Sequence, residues 1–465
     1  MAEFQAAERA CANAINALYG GTQYRAHDGD GRAEPGEYGY SAQQLAAGMG
    51  AQPGLPWGEP FGTDPGVLAF LLAGIRQMLA GTSMLPSPPA GGTPEQNAAW
   101  WASLSPGVRQ ALVLTSPGLV GNLNGLPARA RDQANRARLG TEKQRLDAEI
   151  DRLRADLPPR GGPGYDVTHH EELRRLEQLE AKRASLKEIG DTLKLGDRQL
   201  LVLDLSGDRA EAAVAVGDVD TAEHVAVFTP GLGSTVDGGL ERYDEQMRQL
   251  QYQSERRLRQ YGGEEVATVT WIGYQAPQQY GDSGLAGQAE AGADDLAEFN
   301  RGINASRADD PHLTAIGHSY GSTTTGMAVQ QPGTGVDDVV VIGSPGMGTS
   351  DVEDLNVPAG HTYAVEARGD YVADFGRFGA DPNQMEGVTN LSAREEETVD
   401  GEQLSETTGH ATRDKDDPKN GYLAQGTTSQ HNISTVVAGV PEQAVHDDGR
   451  GFGDYLRSGR WLWVR

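Results

Sequence analysis

The stretch Gly317-His318-Ser319-Tyr320-Gly321 decides the fold of this chain. A short apolar run, 313–316, lies before it, and small helix-compatible residues, 322–329, follow it. A strand that turns sharply at a serine between two glycines and continues as a helix is typical of a nucleophile elbow. The glycines are needed because the serine backbone is strained and side chains beside it would clash. The sequence therefore predicts that Ser319 is a nucleophile, the alternative being a glycine-rich turn with an unreactive serine.

Composition limits the kinds of partner and compartment. The 465 residues include 39 Lys and Arg against 66 Asp and Glu, a net charge of −27, which argues against nucleic acid and anionic membranes as partners. Cys11 is the only cysteine, so no disulfide can form within the chain, as is usual in a reducing compartment. Residues 1–20 lack a secretory-signal pattern, and the longest apolar stretch, 67–75, is too short to cross a bilayer. We therefore expect a cytoplasmic protein without an integral membrane segment, or one exported without a cleavable signal peptide.

The sequence pattern is mostly helical up to about residue 195 and alternates between strands and helices after it. This change predicts two domains, a helical region over 1–195 and an α/β domain over 196–465. Helices are expected over 2–18, 66–79 and 97–114. Two longer, charge-rich segments, 129–156 and 171–193, carry apolar residues at three- and four-residue steps and are separated by a Pro- and Gly-rich break. They predict an antiparallel, coiled-coil-like hairpin that projects from the body. It is either a structural arm or a surface for a protein partner or for self-association.

No metal ion or organic cofactor is expected. The run Asp28-Gly29-Asp30-Gly31 resembles the start of a calcium-binding loop. Such a loop needs a third oxygen ligand and then a glycine at the next two positions. Arg32 and Ala33 occupy those positions, so the run is interpreted as a turn.

After residue 199, short β-branched segments alternate with helical ones. The predicted strands are 200–205, 212–216, 224–228, 266–270, 313–316, 339–342, 362–366 and 388–391. The predicted helices between them are 239–260, 285–300 and 322–330. This alternation predicts a mostly parallel central sheet flanked by helices, with the first two strands as a hairpin at one edge.

A serine hydroxyl needs a base to take its proton and an acid to orient that base, in the chain order Ser, Asp or Glu, His for this fold class. The acid should follow a strand beyond the nucleophile. Asp370 fits because it comes shortly after the strand 362–366, and Asp374, one helical turn later, is the alternative. His361 precedes the acid and is excluded by order. The remaining candidates for the base are His410, which we favour, His431 and His446.

The oxyanion that forms during acyl transfer needs backbone donors. One should be the N–H of Tyr320, the residue after the nucleophile. The second should come from the small-residue loop 229–234 after the third strand, with Leu232 as the favoured donor and Gly233 as the alternative. A simple glycine-rich turn is the competing interpretation of this loop.

Several segments together resemble an actinobacterial α/β-hydrolase family catalogued as a domain of unknown function, DUF1023. They are the elbow 316–322, Trp271-Ile272-Gly273-Tyr274-Gln275-Ala276-Pro277, the lead-in segments 121–127 and 131–136, Gly369-Asp370, and 379–382. The similarity extends from about Asn97 to Gly439. It implies an α/β-hydrolase fold and a Ser–Asp–His triad, with Ser319 as nucleophile and Asp370 as acid.

The resemblance also bears on the base. The family places a Gly-His shortly before an aromatic-Leu pair that leads into a helix. Tyr422-Leu423 matches the pair, and Gly409-His410 lies upstream, as if 411–421 contained an insertion. The chain is thus expected to be a serine hydrolase that cleaves a carboxylic ester through an acyl-enzyme. An amidase or thioesterase would use the same groups, and a non-catalytic scaffold that binds a protein through its helical hairpin is the alternative.

Overall fold

The computed structural model describes residues 86–158, 168–259, 262–279, 285–373, 377–398 and 401–447. These residues belong to two compact units, one containing 99–120 and the other containing 91–98 and the residues from 121 onward. The predicted helices 2–18 and 66–79, Cys11 and the run 28–31 lie outside the described residues. Within the described ranges, no helix is both long and apolar enough to cross a membrane.

The first three helices of the described residues are α1 (Pro94–Ser103), α2 (Pro106–Thr115) and α3 (Pro117–Val120). The prediction of a single helix over 97–114 is therefore wrong, because the helix is interrupted between Ser103 and Pro106. Proline has no backbone N–H and disfavours the helical conformation in the residue before it. Pro106 consequently begins a new helix, and the Ser105 side chain caps it by accepting from the N–H of Val108.

The two charge-rich segments form α4 (Ala128–Asp156) and α5 (His170–Thr192), which confirms both predicted helices. Their apolar side chains, such as Ile150 and Ile189, are buried in one cluster with Leu200 of the first strand. The Lys182 ammonium, also buried, donates to the carbonyl of Leu205 at 2.8 Å. The prediction that the hairpin projects from the body is therefore wrong for these residues, because their apolar faces are buried against the sheet. The division of the chain at residues 195 and 196 stays a prediction.

Eight strands form the main sheet, in the order β1-β2-β4-β3-β5-β6-β7-β8. They are β1 (Arg198–Asp204), β2 (Glu211–Val216), β3 (His224–Thr229), β4 (Val266–Ile272), β5 (His312–His318), β6 (Asp338–Ile342), β7 (Thr362–Val365) and β8 (Thr389–Leu391). A small separate pair joins β9 (Glu396–Glu397) and β10 (Gln403–Leu404). Strand β2 is antiparallel to β1 and β4, and the pairs from β4 to β8 are parallel. The predicted mostly parallel sheet and edge hairpin are confirmed.

Helices cover both faces of this sheet. They are α6 (Val236–Leu258), α7 (Leu285–Ala305), α8 (Tyr320–Val329) and α9 (Thr428–Val437). Side chains alternate along a strand, so Ala226 and Phe228 of β3 face the cluster of α4, α5, α6 and α9, whereas Val225 and Val227 face α7 and α8. Burial on both faces explains why the parallel strands are continuously apolar. Because these strands are parallel, the carboxyl ends of β3, β5 and β7 lie on the same side of the sheet, where the loops that follow them meet.

The amino-terminal ends of the parallel strands, on the opposite side of the sheet, carry a network of titratable side chains. His224 and His312 are the first residues of β3 and β5, and their Nδ1 atoms are 3.3 Å apart. His312 Nε2 lies 2.6 Å from one carboxylate oxygen of Asp338, and His361 Nδ1 lies 2.7 Å from the other. His224 Nε2 contacts Glu264 at 2.8 Å. The network thus links the amino-terminal ends of neighbouring strands.

Protonation of His312 should contribute to stability. Burial by itself would lower the pKa of His312, but the hydrogen bond to Asp338 and the charges of Asp338 and Asp337 raise it above its ordinary value. The protonated ring therefore stabilises the fold fully below the ordinary histidine pKa of about 6.5, and this contribution is lost as pH rises through the raised pKa. We expect His312→Gln to lower the free energy of unfolding by about 1–3 kcal/mol near pH 6 and by less near pH 9. Urea unfolding at the two pH values measures this, and an equal loss at both would contradict it.

Candidate active site

Ser319 lies at the turn between β5 and α8 with φ of 55° and ψ of −132°, a left-handed conformation that a serine adopts only under strain. A Cβ on Gly317 would lie 2.5 Å from Ser322 Cα, and one on Gly321 would lie 2.2 Å from the carbonyl oxygen of Thr229. Both distances are too short for any side chain. The two glycines thus allow the strained turn, as the elbow pattern predicts.

The predicted base and acid lie beside this serine. His410 Nε2 is 2.7 Å from Ser319 Oγ, and His410 Nδ1 is 2.8 and 2.9 Å from the two carboxylate oxygens of Asp370. Asp370 follows β7, and His410 lies in the loop between β10 and α9. The Asp370 side chain is fully buried, whereas that of His410 is 29% exposed. The structure therefore brings together three residues that the sequence placed in three separate loops.

The other predicted candidates lie elsewhere. His431 is on α9, where Nδ1 accepts from the Arg257 guanidinium at 2.8 Å and Nε2 donates to the carbonyl of Gln443 at 3.2 Å. Burial and the charge of Arg257 lower the pKa of His431 to about 4, so its ring is neutral and both nitrogens are engaged. His446 forms an isolated backbone bridge with Leu391 on β8. Asp374 lies outside the described residues.

The loop after β3 passes directly over the elbow. A Cβ on Gly231 would lie 2.7 Å from Ser319 Cβ and 3.0 Å from the backbone nitrogen of Tyr320. Gly233, the alternative oxyanion donor, gives its N–H to the carbonyl of Pro277 at 2.8 Å and is thereby engaged. Tyr320 is the first residue of α8, at the positive end of the helix dipole. Leu232 and Tyr320 remain the predicted donors for the oxyanion.

Two side chains at the site were not assigned from the sequence. His318 Nε2 donates to the backbone carbonyl of His410 at 2.8 Å. Burial and the neighbouring His410 lower the pKa of His318 to about 3, so the ring is neutral and holds the base-bearing loop without adding charge. The Tyr422 hydroxyl donates to Asp370 Oδ2 at 2.6 Å. No role for either residue was predicted from the sequence. His318 occupies a variable position of the elbow pattern, and Tyr422 was noted only as part of the aromatic-Leu pair.

The environment of Asp370 favours its ionised form. Besides His410 and Tyr422, the backbone N–H groups of Val372 and Ala373 donate to Oδ1 at 3.1 and 3.3 Å. Burial by itself would raise the pKa of Asp370, but the hydrogen bonds from His410 and Tyr422 and the charge of His410 hold it below its ordinary value. A buried carboxylate beside the imidazole can orient the ring and stabilise an imidazolium.

Within the ranges that the structure covers, no group of three or more His, Cys, Asp or Glu residues is arranged to hold a metal ion.

A family model described as Alpha/beta hydrolase matches residues 206–380, a range that includes Ser319 and Asp370 and ends before His410. The chain is 37% identical over 223 residues to the uncharacterized protein Rv0963c of Mycobacterium tuberculosis, covering 45% of this chain and 83% of that protein. It is 29% identical over 304 residues to the uncharacterized protein Rv2079 of the same species, covering 63% of this chain and 45% of that protein.

Two solved structures also align with parts of this chain. A dienelactone hydrolase from Anabaena variabilis aligns at 13% identity with a TM-score of 0.31, covering 54% of this chain and 100% of that chain. An esterase from Pyrobaculum calidifontis aligns at 14% identity with a TM-score of 0.32, covering 63% of this chain and 97% of that chain. The family model matches the segment that contains the elbow, and the relative at 37% identity is covered over 83% of its length. The chain belongs to the alpha/beta hydrolase family.

Proposed function

We propose that the protein is a serine hydrolase that cleaves a carboxylic ester through an acyl-enzyme intermediate. The observation that carries this proposal is the continuous hydrogen-bonded chain from Ser319 Oγ through His410 to Asp370. A hydroxyl at 2.7 Å from an imidazole nitrogen has a base within proton-transfer distance. The strained elbow places that hydroxyl, on a side chain that is itself buried, at the carboxyl ends of the parallel strands, where active-site loops gather.

In this mechanism His410 Nε2 takes the proton of Ser319 as Oγ attacks the ester carbonyl. The tetrahedral oxyanion accepts hydrogen bonds from the backbone N–H groups of Tyr320 and Leu232. Asp370 holds the Nδ1–H tautomer and stabilises the imidazolium. His410 then protonates the departing alcohol, which leaves the acyl group on Ser319. Water, deprotonated by His410, releases the acid and restores the serine.

The finer assignments are also part of the proposal. The substrate is proposed to be a small or lipid-like carboxylic ester and not an amide or a thioester. The protein is proposed to be of the DUF1023 type, on the motifs quoted above, and to act in the cytoplasm. The α4–α5 hairpin buries its apolar side chains against the sheet. Its remaining charged faces are where a protein partner or a second copy would bind.

Labelling with a fluorophosphonate probe tests the function without knowledge of the substrate, because the probe reports an activated serine. We expect the wild type and the remote control Ser306→Ala to label, and Ser319→Ala not to label. Circular dichroism checks that each variant is folded. If the folded wild type does not label, the hydrolase proposal is wrong and the non-catalytic scaffold replaces it. Labelling of Ser319→Ala would show that the nucleophile is another residue.

A further inference from the structure

We propose that Tyr422 is a positioning residue of this site, whose hydroxyl fixes the carboxylate of Asp370 and so sets the basicity of the Asp370–His410 pair. This inference rests on the proposed serine hydrolase function. The Tyr422 ring is fully buried, so its hydroxyl meets the carboxylate without competition from water.

The direction of the hydrogen bond is determined by a second contact. The backbone N–H of Ala367 donates to the Tyr422 hydroxyl oxygen at 2.8 Å. The single hydroxyl proton is therefore left for Asp370 Oδ2, 2.6 Å away. The Tyr422 hydroxyl thus connects the backbone N–H of Ala367, after β7, to the carboxylate of Asp370. It can donate to Asp370 Oδ2 only while that carboxylate oxygen is an acceptor.

The donors around Asp370 leave the carboxylate little freedom to rotate. Oδ2 faces the Tyr422 hydroxyl and His410 Nδ1, whereas Oδ1 faces His410 Nδ1 and the N–H groups of Val372 and Ala373. Among these donors in the described residues, Tyr422 is the one side chain besides His410, the other two being backbone N–H groups. Its loss would remove the donor on the Oδ2 side and leave more of the negative charge to interact with His410.

The backbone holds Tyr422 next to the base in spite of the intervening loop. The N–H of Tyr422 donates to the carbonyl of Ala411, directly after His410, and the N–H of Leu423 donates to the carbonyl of Thr412. Gly421 permits this closure, because it has φ of 128° and a Cβ there would lie 2.6 Å from the Thr412 oxygen. Residues 413–420 therefore form an excursion whose ends are joined, and the tyrosine returns beside the histidine.

Tyr422→Phe removes only the hydroxyl and is the variant that tests the proposal. A carboxylate with one donor fewer stabilises the imidazolium form of His410 more strongly, so a larger share of the base is protonated at a given pH. We expect the fluorophosphonate labelling rate constant to fall about 10-fold near pH 7. We also expect the pH of half-maximal labelling to move upward. The rate constant per labelled molecule does not depend on how much of the sample is folded.

Tyr363→Phe is the matched control. Tyr363 is also buried, lies in the same apolar cluster and shares no hydrogen bond with the triad in the part of the chain that the structure describes. It should label with the wild-type pH profile. If Tyr422→Phe only lowers the melting temperature and keeps the wild-type rate constant and pH profile, Tyr422 is merely structural and the inference is wrong. The proposed function would survive that result, because it fails only if the wild type itself does not label.

Discussion

Alanine at His410 should lower the rate of ester hydrolysis by about four orders of magnitude, because Ser319 then has no base for its proton. His410 Nε2 is the ring nitrogen at 2.7 Å from Ser319 Oγ. Hydrolysis of p-nitrophenyl acetate measures the loss, and fluorophosphonate labelling of the same variant should become too slow to detect.

His431→Ala is the matched control, since it removes a second histidine from the same carboxyl-terminal part of the domain. Both nitrogens of His431 are bonded to Arg257 and Gln443, so we expect a loss of stability of about 1–3 kcal/mol with a rate within a few-fold of wild type. If His431→Ala abolished hydrolysis in the folded protein and His410→Ala did not, the assignment of the base would be wrong.

Asp370→Asn should also reduce hydrolysis by about four orders of magnitude, although it changes the shape of the side chain very little. The two carboxylate oxygens face donors on every side, namely Tyr422, His410 and the N–H groups of Val372 and Ala373. An amide NH₂ must meet one of these donors. The contact is relieved if His410 adopts the Nε2–H tautomer, which cannot accept the serine proton.

The same hydrolysis assay measures this effect, with Asp351→Asn as control. Asp351 caps the short turn 352–354 by accepting from the N–H of Glu353 at 2.9 Å, and its replacement should leave the rate unchanged. A loss of less than about tenfold in Asp370→Asn would show that the acid does not control the tautomer, and the role assigned to Asp370 would have to be abandoned.

Local sequence was sufficient for the strands of the main sheet and for the positions of Ser319 and Asp370 in their loops. The strands are confirmed with small shifts of their ends because each is a short apolar run between turn residues, which is a local property. Ser319 was predicted to lie at a sharp turn because side chains in place of the two glycines beside it would clash with residues nearby in the chain or with the loop after β3. Asp370 was predicted to lie near Ser319 because it follows a parallel strand, and the loops at the carboxyl ends of such strands gather on one side of the sheet.

Predictions that required contacts distant in sequence were less complete. The hairpin was expected to project from the body, yet the apolar side chains of α4 and α5 are buried with the sheet. A helix pattern shows which face is apolar, but not what covers it.

The sequence by itself determined the alternating strands and helices and the strained turn at Ser319, since each depends on residues close together in the chain. Only the tertiary structure decided that His410 rather than His431 reaches Ser319, and that His318 and Tyr422 donate to the backbone carbonyl of His410 and to the carboxylate of Asp370. The closure of 411–422 brings Tyr422 beside His410 and onto Asp370. Such a contact joins residues far apart in the chain, so it depends on how the loops close and not on any local pattern.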